Sequence, residues 1–513
     1  MATSFRSFLN KIKLSKVNTI SLICGWLMVF AYAPFNLWIL PLILLPIWLY
    51  HLVDLPTKEA ARSGFFFGLG WFTAGISWVH VSIERFGGMP LAVSLLLMLL
   101  LCAYLALYPM LAAYLSAKLT KQKRSNLWLL PVTWYGAEFL RAHLLTGFPW
   151  LSLGYSQINS PLKHYAPFIG ETGITALMLI ASIAIVAFVK KESVKQHVSV
   201  LAGVFVVALI LSYLTPIKKS DETVSVALVQ GNIKQEIKWD KAQEIPTMLR
   251  YLELTRKHYP IDIAIWPESA LATLEGSASS QQFLDLANSS ASINEAAIIT
   301  GIINYNFETR EYFNRLLVLG KQESDSGYYY GSSNKYDKNH LLPIGEFVPF
   351  EDLLRPLAPF FNLPMSSFTR GDYVQPNLSA NGLNFLSLIC FEIAFPKQLA
   401  ANFQRDTDFI LTVSNDAWFG ASHGPDQHLE IAQMRALEFG RPVLRATNNG
   451  LTAVAESNGE IFAIAPQFEE AVLKVDVAKS VGITPYSRFG EWLNLLWLAL
   501  FSLVLWLRNK KSN

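Results

Sequence analysis

Seven apolar runs fill most of the first 215 residues and an eighth closes the chain, at about 14–33, 36–53, 63–81, 89–117, 126–144, 164–189, 198–215 and 490–507. A helix needs about 20 mostly apolar residues to cross a bilayer. In hydrocarbon only a helix or a closed barrel satisfies every backbone polar group. The runs therefore predict a polytopic α-helical membrane domain with eight transmembrane helices. The second run is short and holds Pro41 and Pro46, so a kink is expected there. The fifth holds Glu138 and Arg141, which either pair or line a headgroup pocket. Gly64, Gly68 and Gly70 in the third predict close helix packing.

Basic residues near helix ends set orientation. The N-terminal tail, the even-numbered connections and the C-terminal tail hold 16 Lys/Arg, against 3 (Arg85, Arg141 and Lys163) in the other connections. Both termini are thus expected in the cytoplasm, with residues 216–489 on the opposite face. Ala31-Tyr32-Ala33 resembles a leader-peptide cleavage site, but Pro34 directly after it argues for an uncleaved anchor.

Charge divides the chain in the same way. Residues 1–215 carry +10, residues 216–490 carry −9 and the remainder +2. No basic domain is left to neutralise phosphates, so nucleic acid is not an expected partner. The expected domains are 1–215, with seven transmembrane helices, 216–489, soluble and catalytic, and 490–513, the last helix and a basic tail.

From Thr223 onward short β-rich runs alternate with polar stretches: Val224–Val229, Ile261–Trp266, Ala297–Ile303, Arg315–Leu319, Phe385–Cys390 and Phe409–Val413. Several are continuously apolar, as in strands buried on both faces. Helical spacing appears at 241–257, 281–290 and 426–440, so one α/β domain is expected.

Cys390 is the one cysteine of that domain, since Cys24 and Cys102 fall inside apolar runs. A lone thiol facing an oxidising compartment is either buried and inert or kept for its reactivity. Cys390 ends an apolar strand, Glu268 ends another, and Lys338 follows a third. The C-terminal ends of strands are where α/β sheets form ligand crevices, so a carboxylate, an ammonium and a thiol could meet at one sheet edge.

Trp266-Pro267-Glu268, Lys338 within Tyr-Asp-Lys-Asn-His-Leu-Leu-Pro-Ile-Gly-Glu-Phe-Val-Pro, and Ile389-Cys390-Phe391-Glu392 resemble, in that order, the Glu–Lys–Cys signature of the nitrilase superfamily. Asn415-Asp416-Ala-Trp418-Phe419-Gly420 is similar to the loop after that family's next strand. With membrane helices on both sides, nearly the whole chain resembles the apolipoprotein N-acyltransferase family.

The resemblance implies an α-β-β-α sandwich on an eight-helix base, set in a bacterial inner membrane with the catalytic domain in the periplasm. It implies a monomer without metal or organic cofactor. The acyl donor would be a phospholipid, the acceptor a diacylated apolipoprotein, and membrane lipids would surround both. Glu268 would be the general base, Lys338 the oxyanion stabiliser and Cys390 the nucleophile that carries a thioester. Glu346 would support Lys338, and Glu392 would act beside the nucleophile. Trp239 would belong to the acyl-binding region. Trp418 lies in the matching loop and is expected near substrate. Phe391 stands where the family often has Tyr, which leaves only its backbone N–H as an oxyanion donor. Trp150 fits either an interfacial anchor or a substrate contact. The apolar loop Leu357–Met365 is expected to dip into the interface, to cover the site or to pack as core.

Weaker signals carry little. Ser332-Ser-Asn-Lys335 matches S-x-x-K without its companion motifs, and His423 and His428 lack the H-E-x-x-H arrangement of a zinc site. Two rival readings stay open: a membrane-tethered amidase acting on a small amide, and a non-catalytic transporter or sensor. The second is disfavoured by the few charges inside the helices.

Overall fold

The structure is a computed structural model that describes residues 15–119, 126–322, 327–343, 345–347 and 367–511. All eight apolar runs form helices: α1 (Lys16–Leu27), α2 (Pro41–Leu52), α3 (Thr57–Gly75), α4 (Leu91–Lys118), α5 (Asn126–His143), α6 (Ala166–Val189), α7 (Val194–Tyr213) and, at the end of the chain, Trp492–Lys511. By length and apolarity, three helical segments among the described residues suffice to cross a membrane: α4, Pro161–Val189 and α7. A fourth is reached if α3 and its continuation Val79–Phe86, bent by 58°, count as one span. The expected eight spans are therefore not what the helices themselves meet. The 12-residue α2 rises only ~18 Å, against a hydrocarbon core of about 30 Å.

Small residues let α3 press on its neighbours as expected. A Cβ on Gly64 would stand 2.6 Å from the Pro109 carbonyl oxygen, and one on Gly70 would stand 2.1 Å from that of Leu22. Glu138 and Arg141 pair, with Arg141 Nε 3.0 Å from Glu138 Oε2. Arg141 Nη1 also donates to the carbonyls of Phe148 and Trp150, at 2.8 and 2.5 Å.

Two sheets form the soluble part. The first holds β1 (Ile217–Gln230), β2 (Ile263–Ile265), β3 (Leu271–Leu274), β4 (Ala297–Asn306), β5 (Glu311–Gly320), β6 (Lys335–Asp337) and β13 (Ala471–Gly482). Its order is β13-β1-β2-β4-β5-β6, with β3 paired to β4. The second holds β7 (Leu378–Ala380), β8 (Leu383–Ile389), β9 (Phe409–Ser414), β10 (Val443–Thr447), β11 (Ala453–Ala455) and β12 (Ile461–Ile464), in the order β12-β11-β10-β9-β8-β7.

Side chains alternate between two faces along a strand, and the burial follows that rule. Val224, Val226 and Leu228 join Phe385, Ile389, Leu411 and Leu444 in a core between the sheets. Ala227 and Val229 turn outward onto α8 (Glu244–Arg256) and α9 (Ala278–Ile293). On the second sheet, Leu386, Leu388 and Ile410 turn outward into a cluster that includes Ile431, Met434 and Phe439 of α11 (Gly424–Phe439). The short α10 (Pro396–Asn402) adds Leu399 to the same cluster. The result is an α-β-β-α sandwich.

That last cluster does not stop at α11. It runs on through Trp150, Trp134, Trp71 and Trp48 of the membrane part. Nearly every residue of α11 is buried, so even its charges find partners inside. Glu430 accepts the Ala33 N–H at 3.1 Å and Glu438 accepts the Glu171 N–H at 2.8 Å.

Candidate active site

Three strand ends supply the principal residues. Glu268 follows β2 in a turn where Ser269 has φ +47°. The turn lies flat on β4 because residue 301 is glycine: a Cβ there would stand 2.5 Å from the Ser269 nitrogen and 2.7 Å from the Pro267 oxygen. Lys338 follows β6. Arg315 on β5 fixes that strand end by gripping both carboxylate oxygens of Asp337, at 2.6 and 3.0 Å, and by reaching Glu275 at 3.0 Å. Cys390 follows β8 and opens the 3-10 turn Cys390–Ala394 with φ +56°. A non-glycine residue held in that left-handed region costs ~1–3 kcal/mol and persists where its surroundings over-determine it.

Lys338 is almost wholly buried, 1% exposed. Its Nζ lies 2.8 Å from Glu346 Oε2 and 3.6 Å from Glu268 Oε1. Asn314 Nδ2 donates to both carboxylates, at 2.8 Å to Glu268 and 3.1 Å to Glu346, and the Asn415 N–H donates to the other Glu268 oxygen at 3.0 Å. Burial pulls the Lys338 ammonium down, but Glu346, Glu268 and Cys390 outweigh it and hold the group well above its ordinary value. Burial pushes the Cys390 thiol up to about 12; Glu268 adds to that rise, while Lys338 and Ser414 oppose it. Carboxylate, ammonium and sulfur thus form one electrostatic unit. The sulfur's residue remains partly exposed.

Glu392 is fully buried and collects five donors: the N–H groups of Ile389, Asn339 and His340, the Tyr336 hydroxyl and Gln398 Nε2, all at 2.8–2.9 Å. It ties the chain beside Cys390 to the chain beside Lys338 without reaching the sulfur itself. Phe391 and Trp150 are both buried and lie nearly parallel, with ring centroids 6.2 Å apart. Trp150 Nε1 donates to Gln427 Oε1 at 2.8 Å. Trp239 and Trp418 are 39% and 40% exposed. Trp239 neighbours the Lys238 ammonium, and Trp418 meets Phe86 edge-on at 4.8 Å. Loop Leu357–Met365 lies outside the described residues.

Several partners escape the sequence reading. Lys238 Nζ donates to the Glu268 carbonyl at 3.2 Å, and burial, opposed by Glu268, pulls that lysine down to about 8. Asn314 and Arg315 open the buried stretch of β5, and Arg445 lies within the wholly buried β10. A polar residue in a strand buried on both faces needs a partner, and that is the signal that could have found them.

Comparison with known proteins places the two parts of the chain in a family. Residues 24–184 match the family described as apolipoprotein N-acyltransferase N-terminal domain, and residues 225–486 match carbon-nitrogen hydrolase. The apolipoprotein N-acyltransferase of Shewanella oneidensis is 45% identical over 523 aligned positions, covering 100% of both chains. That of Vibrio cholerae is 47% identical, covering 92% of this chain and 93% of its own. The solved structure of Saccharomyces cerevisiae Nit3, a member of branch 10 of the nitrilase superfamily, has a TM-score of 0.38 and 16% identity, covering 51% of this chain and 93% of that one. A carbon-nitrogen hydrolase sandwich joined to this particular membrane domain, with relatives alike from end to end, means that the chain belongs to the apolipoprotein N-acyltransferase family.

Proposed function

We propose that this enzyme moves an acyl group from a phospholipid ester to the α-amino group of the S-diacylglyceryl cysteine at an apolipoprotein N-terminus, by way of a thioester on Cys390. The observation that carries the mechanism is the joining of Glu268, Lys338 and a partly exposed Cys390 at three strand ends. Family membership supports the acyltransferase activity and the lipoprotein acceptor.

In the first half-reaction Glu268 takes the proton from Cys390 Sγ as the sulfur adds to the ester carbonyl. Lys338 faces the resulting oxyanion, where a desolvated cation is worth far more than in water. Collapse breaks the ester C–O bond, and the proton on Glu268 passes to the departing lysophospholipid oxygen. In the second half the acceptor amine adds to the thioester carbonyl and yields a proton to Glu268. The C–S bond breaks and the sulfur recovers its proton, leaving an amide. Glu346 and Asn314 hold Lys338 and Glu268 in place through direct hydrogen bonds. Trp239 and Trp418 would flank the acyl chain, and Trp150 with Phe391 would wall the site on the membrane side. Excluding water protects the thioester from hydrolysis.

The basic-residue pattern supports an inner-membrane setting with residues 216–489 in the periplasm and both termini in the cytoplasm. Both substrates are lipid-anchored, so a site against the membrane domain meets them in one leaflet. Incubating the enzyme with phospholipid and weighing the Cys390 peptide tests the chemistry. An acyl mass on wild type that vanishes in Cys390→Ser is expected; no acyl mass on wild type, or acyl mass persisting in the variant, overturns it.

A further inference from the structure

Behind the nucleophile lies a buried polar cluster that the transfer chemistry leaves unused. His428 on α11, Asp416 after β9 and Arg445 on β10 are each essentially fully buried. His428 Nε2 stands 3.1 Å from the Cys390 carbonyl oxygen. That oxygen can only accept, so Nε2 carries a proton. On the other side of the ring, Arg445 Nη2 stands 3.0 Å from Nδ1. A guanidinium can only donate and a carboxylate oxygen only accept. The Arg445 contact is the shorter, 3.0 Å against 3.3 Å to Asp416 Oδ1, and Asp416 is itself already held by Arg445 and Ser414, so Nδ1 presents its lone pair to Arg445 and the ring is neutral. The same Arg445 nitrogen reaches Asp416 Oδ2 at 2.6 Å, and Ser414 Oγ donates to Asp416 Oδ1 at 2.6 Å. Asp416 Oδ1 lies 3.3 Å from Nδ1. Burial and Arg445 both pull His428 below its usual range, against the opposing pull of Asp416, which agrees with a neutral ring. Two aromatic rings pack beside the imidazole: Trp150, from the membrane part, tilted at 5.4 Å, and Phe419, edge-on at 5.9 Å.

We propose that His428 is a positioning residue for the nucleophile: its Nε2–H holds the Cys390 carbonyl, and so the left-handed backbone at Cys390, while Arg445 and Asp416 hold the ring in that tautomer. Returning Cys390 to an ordinary φ would swing its carbonyl off the imidazole, so the hydrogen bond and the strained conformation support each other. The proposal rests on Cys390 being the nucleophile.

The test uses the full-length enzyme in detergent–phospholipid micelles. His428→Phe keeps a ring but removes the donor; His428→Gln returns an N–H near the Nε2 position. For His428→Phe the acylation kcat should fall by ~50-fold or more with KM within ~3-fold, the pattern of lost positioning rather than lost binding. His428→Gln should stay within ~5-fold of wild type on the same scale. Nitrogen-15 NMR of histidine-labelled wild-type enzyme, assigned by the signal missing in His428→Gln, should find His428 protonated on Nε2 and bare on Nδ1. That measurement decides the question if His428→Phe does not fold. The proposal is overturned by wild-type kcat in His428→Phe, by His428→Gln as impaired as His428→Phe, or by a proton on Nδ1. Acyl transfer persisting in Cys390→Ser would instead overturn the assignment of the nucleophile.

Discussion

A sulfur pushed up to about 12 keeps its proton at neutral pH, so Cys390 does not rest as thiolate and must shed its proton during attack. The neighbouring charges act on it with opposite signs. Replacing Glu268 by Gln removes a negative charge and should lower the thiol titration, whereas Lys338→Met should raise it further; the pH dependence of iodoacetamide alkylation at Cys390 reads both. Acyl transfer should nevertheless fall in both variants, by ~100-fold or more for the loss of the oxyanion partner, measured as lysophospholipid release. Linkage has a definite sign too. With the folded value raised above the ordinary 9.0, this thiol's contribution to stability is complete below pH 9 and is lost as pH climbs toward 12. Glu268, Lys338 and Cys390 were legible because each closes an apolar run, where a reactive group has a geometric reason to stand. A polar residue within a buried strand marks Asn314 as needing a partner, but neither its partner nor that of His428 could be named, because they stand 46 and 38 residues away.

Strands and turns deliver these groups, and two contacts govern the delivery. Gly301 of β4 leaves no room for a Cβ beneath the Pro267–Ser269 turn. Gly301→Ala should displace that turn and with it Glu268, with a loss of turnover of ~100-fold at roughly unchanged fold, since a 1 Å misplacement is enough for that; kcat together with far-ultraviolet circular dichroism checks it. Arg315 on β5 pairs with the buried Glu275 and bidentately with Asp337. Arg315→Met leaves the buried Glu275 without this cation and Asp337 with the Lys335 ammonium 3.0 Å away, so destabilisation of about 3–5 kcal/mol, most of it from Glu275, is expected from thermal or denaturant unfolding. The long runs that became β1, β4, β5, β8 and β9 were readable from continuous apolarity. The three-residue β7 and β11 were not, because so short a segment carries no period of its own and exists only by pairing with a neighbour. The run 36–53 is short in the sequence, and its helix is shorter still, 12 residues, because turns occupy the residues before Pro41.

At the scale of the whole molecule, sandwich and membrane helices share one hydrophobic core through α11. A fragment limited to residues 216–489 would bare that helix, with its apolar residues and the carboxylates of Glu430 and Glu438 stripped of the Ala33 and Glu171 amides. Such a fragment should associate or require detergent, whereas the full chain in micelles stays dispersed; size-exclusion chromatography with light scattering distinguishes the two. The division into an apolar, basic part and an acidic part was plain from composition, but the joint between them was not, since its polar contacts cross more than 250 residues of chain. A free-standing hydrolase of this architecture can keep the outer surface of its second helical layer wet and open to drift. Here that surface answers to two masters, so substitutions along α11 should be tolerated only when matched by changes in the membrane helices, and grafting the sandwich of a soluble cousin onto this base would require rewriting that one helix first.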